Sequence, residues 1–60
     1  MKYYHYIDIA TKSEYVVRAF DREGAERLAC WALKDPALNG EITAAEADAL
    51  NCPILWYNHF

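Results

Sequence analysis

The sequence predicts a small α+β domain of order ββααβ, in which a three-stranded, mainly antiparallel sheet carries one long and one short helix on one face. Three observations lead to this fold class. Two stretches near the start of the chain have side chains that alternate in the manner of strands. A segment with a helical period follows them, and a short capped segment then leads into a final apolar stretch. We expect residues 1–60 to form a single domain, because a chain of this length supports one hydrophobic core.

Residues 2–10 and 14–20 are predicted to form a β-hairpin, with residues 11–13 as the turn. One face of the first strand ends in two isoleucines, which marks it as the core face. Tyr4 and Tyr6 then lie on the opposite, open face of the sheet, which we expect the helices not to cover. The residues expected on the core face are Tyr3, His5, Ile7 and Ile9.

The stretch from Asp21 to Lys34 has the clearest helical pattern. Asp21 is suited to capping the free N–H groups of the first turn, and Glu23–Arg27 is a favourable i,i+4 pair. Trp31 lies off the apolar face, so it must pack under a loop, meet the last strand or contact a partner. The small residues of that apolar face suit close packing on a sheet, and they are Ala25, Leu28, Ala29 and Ala32.

The second half of the chain is predicted to contain a turn, a helix and a strand. Residues 35–42 carry an Asp-Pro and an Asn-Gly pair, which end the long helix and indicate a tight turn. Thr43 and Glu46 have the spacing of a capping box, which predicts a helix over residues 44–50. Residues 53–60 are rich in β-branched and aromatic side chains and are predicted to be the third strand, paired with either the first or the second.

Charge is distributed unevenly within a net charge of −3. Residues 1–34 hold all six Lys and Arg against five acids, whereas residues 35–60 hold four acids and no Lys or Arg. This argues against nucleic-acid binding, which uses Lys and Arg to neutralise phosphates, and favours a protein partner with a basic surface. The alternative is a solvated acidic surface. The sequence shows neither a signal peptide nor a membrane span, which predicts a cytoplasmic protein.

No cofactor or catalytic motif is complete, so we expect no cofactor, no resident metal and no enzymatic activity. Cys30 and Cys52 lack the spacing of a zinc site and are expected to be thiols, although a single bridge between them stays open. A core this small also leaves little room for a pocket of roughly 300 Å3, the lower end of the usual ligand-site volumes.

Residues 35–46 resemble the calcium loop of the EF-hand family, with glycine at the sixth position and glutamate at the twelfth. Ala37 and Ala44 stand where that family has oxygen ligands, and Pro36 adds rigidity. The resemblance implies at most weak calcium binding. The other interpretation is a turn followed by a capped helix.

The aromatic residues are the strongest indication of function, because tyrosine and tryptophan are enriched at protein interfaces. A protein-binding surface is the favoured interpretation. Stacking of nucleic-acid bases on Tyr4 and Tyr6 beside Arg18 is the alternative, and an open aromatic face could also pair two copies as a homodimer. The residues expected to contact a partner are Tyr4, Tyr6, Trp31, Glu41, Glu46, Asp48, Trp56 and Tyr57.

The hairpin sequences YYHYIDI and EYVVRAF, followed by the helix start DREGAERLA, resemble small accessory proteins of phages and mobile elements, including anti-CRISPR inhibitors. The resemblance covers residues 1–34 and rests on size and architecture. It implies a stoichiometric inhibitor or adaptor that acts in the host cytoplasm and blocks a basic surface of a larger complex, one that could itself bind nucleic acid. The acidic residues of the second half would then occupy that basic surface.

Overall fold

The protein is described over residues 1–56 by a computed structural model, which confirms the α+β class. Its elements in chain order are β1 (Lys2–Asp8), β2 (Ser13–Ala19), α1 (Arg22–Ala32), β3 (Pro36–Ile42), α2 (Ala44–Leu50) and β4 (Ile54–Trp56). The sheet has four strands in the order β3-β1-β2-β4. β1 is antiparallel to β2 and to β3, and β4 is parallel to β2. The prediction of a three-stranded sheet is therefore wrong by one strand, and the last strand pairs with the second.

The additional strand is β3, in the segment where the sequence predicted a tight turn. A hairpin turn of the Asn-Gly type needs positive φ at both central residues, and neither Asn39 nor Gly40 has a positive φ. The pair instead forms an irregularity in the β1–β3 register, where His5 is opposite Gly40 and Tyr6 is opposite Leu38. Asn39 is the extra residue of this β-bulge.

The hydrophobic core lies between α1 and the sheet, on what we call the α1 side. Tyr4 and Tyr6 belong to this core and are only 2% and 3% exposed, whereas Ile9 is 55% exposed beyond the end of β1. The predicted orientation of β1 is thus reversed, because the small side chains of α1 leave room for the two tyrosine rings. The other core residues are Val17, Ala19, Ala25, Leu28, Ala29 and Leu33.

The two helices cover opposite faces of the sheet, which corrects the prediction that both lie on one face. β2, β3 and β4 all run in the same direction. After β2 the chain crosses to β3 at one edge of the sheet, and after β3 it crosses back to β4 at the other edge. Right-handed crossovers then place α1 and α2 on opposite sides. Val16 and His5 alternate with the core residues of their strands and are nevertheless buried, and α2 contacts β1. We call their face the α2 side.

Both helices begin as the sequence predicts. The Asp21 carboxylate accepts a hydrogen bond from the Gly24 N–H at 2.8 Å. Thr43 and Glu46 form the capping box, with both reciprocal hydrogen bonds present at 3.1 and 3.0 Å. Asn51 ends α2 in the left-handed conformation, with φ of 55°. α1 ends at Ala32, two residues before the predicted Lys34.

Candidate interaction surface

The structure removes two residues from the predicted partner-binding set. Tyr4 and Tyr6 lie beneath α1 and are almost fully buried, so neither ring can reach a partner. The alternative of a nucleic-acid module that stacks bases on these rings loses its platform for the same reason. Tyr57 lies outside the described residues.

The remaining predicted residues are exposed but fall on two sides of the sheet. Trp31 is 78% exposed on α1, and Trp56 is 50% exposed on β4, with its side chain on the α2 side. Glu46 and Asp48 are exposed on α2, and Glu41 is exposed on the edge strand β3. The sheet separates Trp31 from Trp56, so a single flat partner surface cannot contact both tryptophans.

On the α2 side, one row of side chains crosses all four strands. The register places Tyr3 of β1 opposite both Ile42 of β3 and Arg18 of β2, and it places Arg18 opposite Trp56 of β4. We call these four residues the transverse row. The guanidinium carbon of Arg18 lies 5.9 Å from the centre of the Trp56 ring, within the range of a cation–π contact. Ile54, two residues before Trp56 on the same face, is also exposed.

A pocket of about 320 Å3 opens where β2 passes into α1. Its wall includes Arg18, Phe20 and Met1. The exposed side chains of Phe20 and Met1 form the apolar part of the wall. Asp21, Glu23 and Arg27 line the side formed by α1. We call this cavity the Arg18 pocket. Its volume differs from the expectation that so small a core leaves little room for a pocket of roughly 300 Å3.

Arg18 has an unusual environment in this pocket. Its Nε is shielded from solvent and has no hydrogen-bond partner among the described residues. Arg27, by contrast, donates to Glu23 at 3.0 Å, as the i,i+4 spacing predicted. Nothing in the sequence pattern indicated that Arg18 would be held in this way, because the environment depends on the pairing of β2 with β4.

His5, Glu14 and Asn39 form a second polar cluster, on the α2 side. The Nε2 of His5 lies 2.9 Å from a Glu14 carboxylate oxygen, and its Nδ1 lies 2.9 Å from the Asn39 amide nitrogen. With Asn39 donating to Nδ1, the ring proton sits on Nε2 and is donated to Glu14. The Asn39 bond joins the bulge of β3 to β1, and the Glu14 bond joins β1 to β2, so the cluster ties three strands together.

The segment that resembles an EF-hand loop has a different geometry. Seven of its residues form β3, which spans about 23 Å at roughly 3.3 Å per residue. Asp35 lies before that strand, and Glu46 lies after it with its side chain in the capping box. The two carboxylates therefore cannot converge on one ion. Within residues 1–56, no group of three or more His, Cys, Asp or Glu side chains is placed to hold a metal.

A narrow cleft between α1 and β3 brings Tyr6 close to Glu26 and Cys30. Burial raises the pKa of the Tyr6 hydroxyl above its usual value of 10.0, and the Glu26 carboxylate adds to that effect. Cys30 is exposed and Cys52 is half-buried, and both are free thiols. The cleft encloses only about 80 Å3, well below the volume that ligand pockets usually have.

Comparison of the chain with models of protein families, with curated proteins and with solved structures finds no match. Neither helix in the described part of the chain has the length and apolar character needed to cross a membrane.

Proposed function

We propose that this protein is a non-enzymatic protein-binding module, a stoichiometric inhibitor or adaptor whose partner presents a basic surface. The observation that carries the proposal is the exposure of Trp56 and Ile54 on the same face of the edge strand β4. Large apolar side chains exposed together are characteristic of interaction sites, and tryptophan is the residue type most often found at the energetic centre of an interface.

The charges around this apolar centre support a basic partner. Asp48 and Glu46 are exposed on α2, which covers the same side of the sheet. From residue 35 to the end of the described chain there are four acids and no Lys or Arg. Acidic side chains on the same side of the sheet as an apolar centre steer a basic surface towards that side.

Trp31 lies on the other side of the sheet and serves as the matched control for Trp56. Tagged protein would be used to capture partners from a bacterial lysate treated with nuclease, at low and at moderate salt. We expect a partner that survives nuclease, is released by salt, and is lost with Trp56→Ala but retained with Trp31→Ala. Asp48→Asn should lower the affinity and weaken its dependence on salt.

Two results would overturn the proposal. Capture that depends on Trp31 and tolerates Trp56→Ala would move the interface to α1. Recovery of the protein alone, together with a dimer in sedimentation, would identify a self-associating domain, and the acidic second half would then be a solvated surface.

A further inference from the structure

We infer that the Arg18 pocket binds a carboxylate carried next to an apolar group, so that the partner inserts an acidic side chain flanked by an apolar one. The inference rests on the proposed protein-binding function and specifies the chemistry of one contact within it. Arg18 is the group that calls for such a ligand, because its Nε has no hydrogen-bond partner among residues 1–56.

The position of Arg18 makes it an effective receptor for a planar anion. The guanidinium carbon lies 5.9 Å from the centre of the Trp56 ring, a cation–π distance that keeps the group near the ring without fixing its plane. A guanidinium presents its N–H groups in a fixed fork that matches the two oxygens of a carboxylate. Once the side chain turns Nε towards the cavity, the two oxygens of a carboxylate can accept hydrogen bonds from Nε–H and from a terminal N–H group of Arg18.

The apolar part of the ligand is indicated by the rest of the wall. Phe20 is 63% exposed and Met1 is 52% exposed beside the cavity. An apolar group that follows the carboxylate into the pocket would cover both. The cavity volume of about 320 Å3 accommodates a ring or a branched side chain together with the carboxylate.

The charges of the lining select a carboxylate over a phosphate. Arg27 is paired with Glu23, and the Asp21 carboxylate caps α1 within the same lining. Of the two arginines in the described lining, Arg27 is paired with a carboxylate and Arg18 is not. The acids nearby repel a doubly charged phosphate more strongly than a singly charged carboxylate.

Benzoate is a suitable probe, because it joins a planar carboxylate to an apolar ring. Its binding would be followed by NMR through the Nε–H signal of Arg18 and the ring signals of Phe20. We expect saturable shifts with a dissociation constant on the order of 1 mM. Benzamide, which has the same shape without the charge, should bind at least about tenfold more weakly, and inorganic phosphate should not compete at equal concentration.

Variants separate this site from a general effect of charge. Arg18→Lys keeps the positive charge and loses the fork, so it should weaken benzoate about tenfold, the effect of losing one charge-assisted hydrogen bond. Lys34→Gln removes an exposed positive charge that does not line the pocket and should leave benzoate affinity within about twofold. Each variant would be checked for an unchanged amide spectrum away from the pocket.

Three results would overturn the inference: equal binding of benzoate and benzamide, displacement of benzoate by inorganic phosphate at equal concentration, or no benzoate shift at Arg18. Because this measurement requires no partner, it can fail while the capture experiment with Trp56→Ala succeeds. In that case the protein-binding function would stand and the carboxylate contact would be withdrawn.

Discussion

Replacing the buried carboxylate of Asp8 should be among the most destabilising single changes in this domain. Asp8 is 3% exposed at the end of β1. One of its oxygens accepts from the N–H groups of Ala10 and Asp35, both at 3.1 Å, and the other accepts from the Lys34 N–H at 3.2 Å. A single side chain therefore joins the β1–β2 turn to the segment between α1 and β3. The Ile9 N–H reinforces the same junction by donating to the Asp35 carbonyl at 2.9 Å.

The magnitude follows from these bonds. Asp8→Asn keeps one acceptor oxygen but turns an amide donor towards the Lys34 N–H, which loses one charge-assisted bond and leaves a backbone donor unsatisfied, at a cost of about 1.5–3 kcal/mol. Asp8→Ala leaves all three donors without an acceptor and should cost about 3–5 kcal/mol. A domain of this size has a total unfolding free energy of roughly 3–9 kcal/mol. We therefore expect Asp8→Ala to be largely unfolded and Asp8→Asn to fold with a lowered midpoint.

Urea unfolding followed by tryptophan fluorescence and far-ultraviolet circular dichroism would measure both variants. Asp48→Asn is the matched control, because it makes the same chemical change at an exposed position of α2 and should shift the unfolding free energy by less than about 0.5 kcal/mol. If Asp8→Asn unfolds within about 0.5 kcal/mol of the native protein, the three hydrogen bonds do not hold the junction and the argument fails.

Two further predictions concern the Tyr6 hydroxyl and the cap of α2. The folded state raises the Tyr6 pKa above 10.0, so the unfolded chain loses this proton first and stability should fall as the pH rises from about 10 through the folded-state pKa. Tyr6→Phe should flatten that decline in thermal melts at several pH values, whereas Tyr3→Phe should not; equal slopes in all three proteins would contradict the assignment. Thr43→Ala removes the acceptor of the Glu46 N–H and should lower the unfolding free energy by about 1 kcal/mol in urea titrations; no change would show that the cap does not stabilise the domain.

The elements that the sequence predicted well are those whose signals are local. Asp21 and Thr43 each act within the first turn of their own helix, and both have the predicted role. The strand β3 was missed because pairing with β1 is decided by residues 28 to 39 positions apart in sequence, at an edge that a local pattern does not reveal. An Asn-Gly pair is compatible with both a hairpin turn and a bulge.

The orientation of β1 was missed for a different reason. A two-residue period shows which side chains share a face but not which face meets the helix. Isoleucine is the more hydrophobic residue, yet Ile9 lies beyond the end of β1, where burial is incomplete. The tyrosines fill the space above the alanines of α1. The same reversal removed Tyr4 and Tyr6 from the candidate site, while the exposure of Trp31 off the apolar helix face was one of the outcomes that its position predicted.

The position of the candidate surface follows from the size of α2. Its seven residues span about 10 Å, whereas a strand of seven residues extends about 23 Å and four strands are about 14 Å across. A helix this short covers His5 and Val16 near the middle of the sheet, and both are buried. It cannot cover the full width of the sheet, so Arg18 is only half-buried and Trp56 is 50% exposed on this side. The additional strand, β3, thus creates the surface on which the proposed function depends. It takes the chain to the far edge of the sheet, so that α2 is the helix that covers the α2 side on the way back to β4.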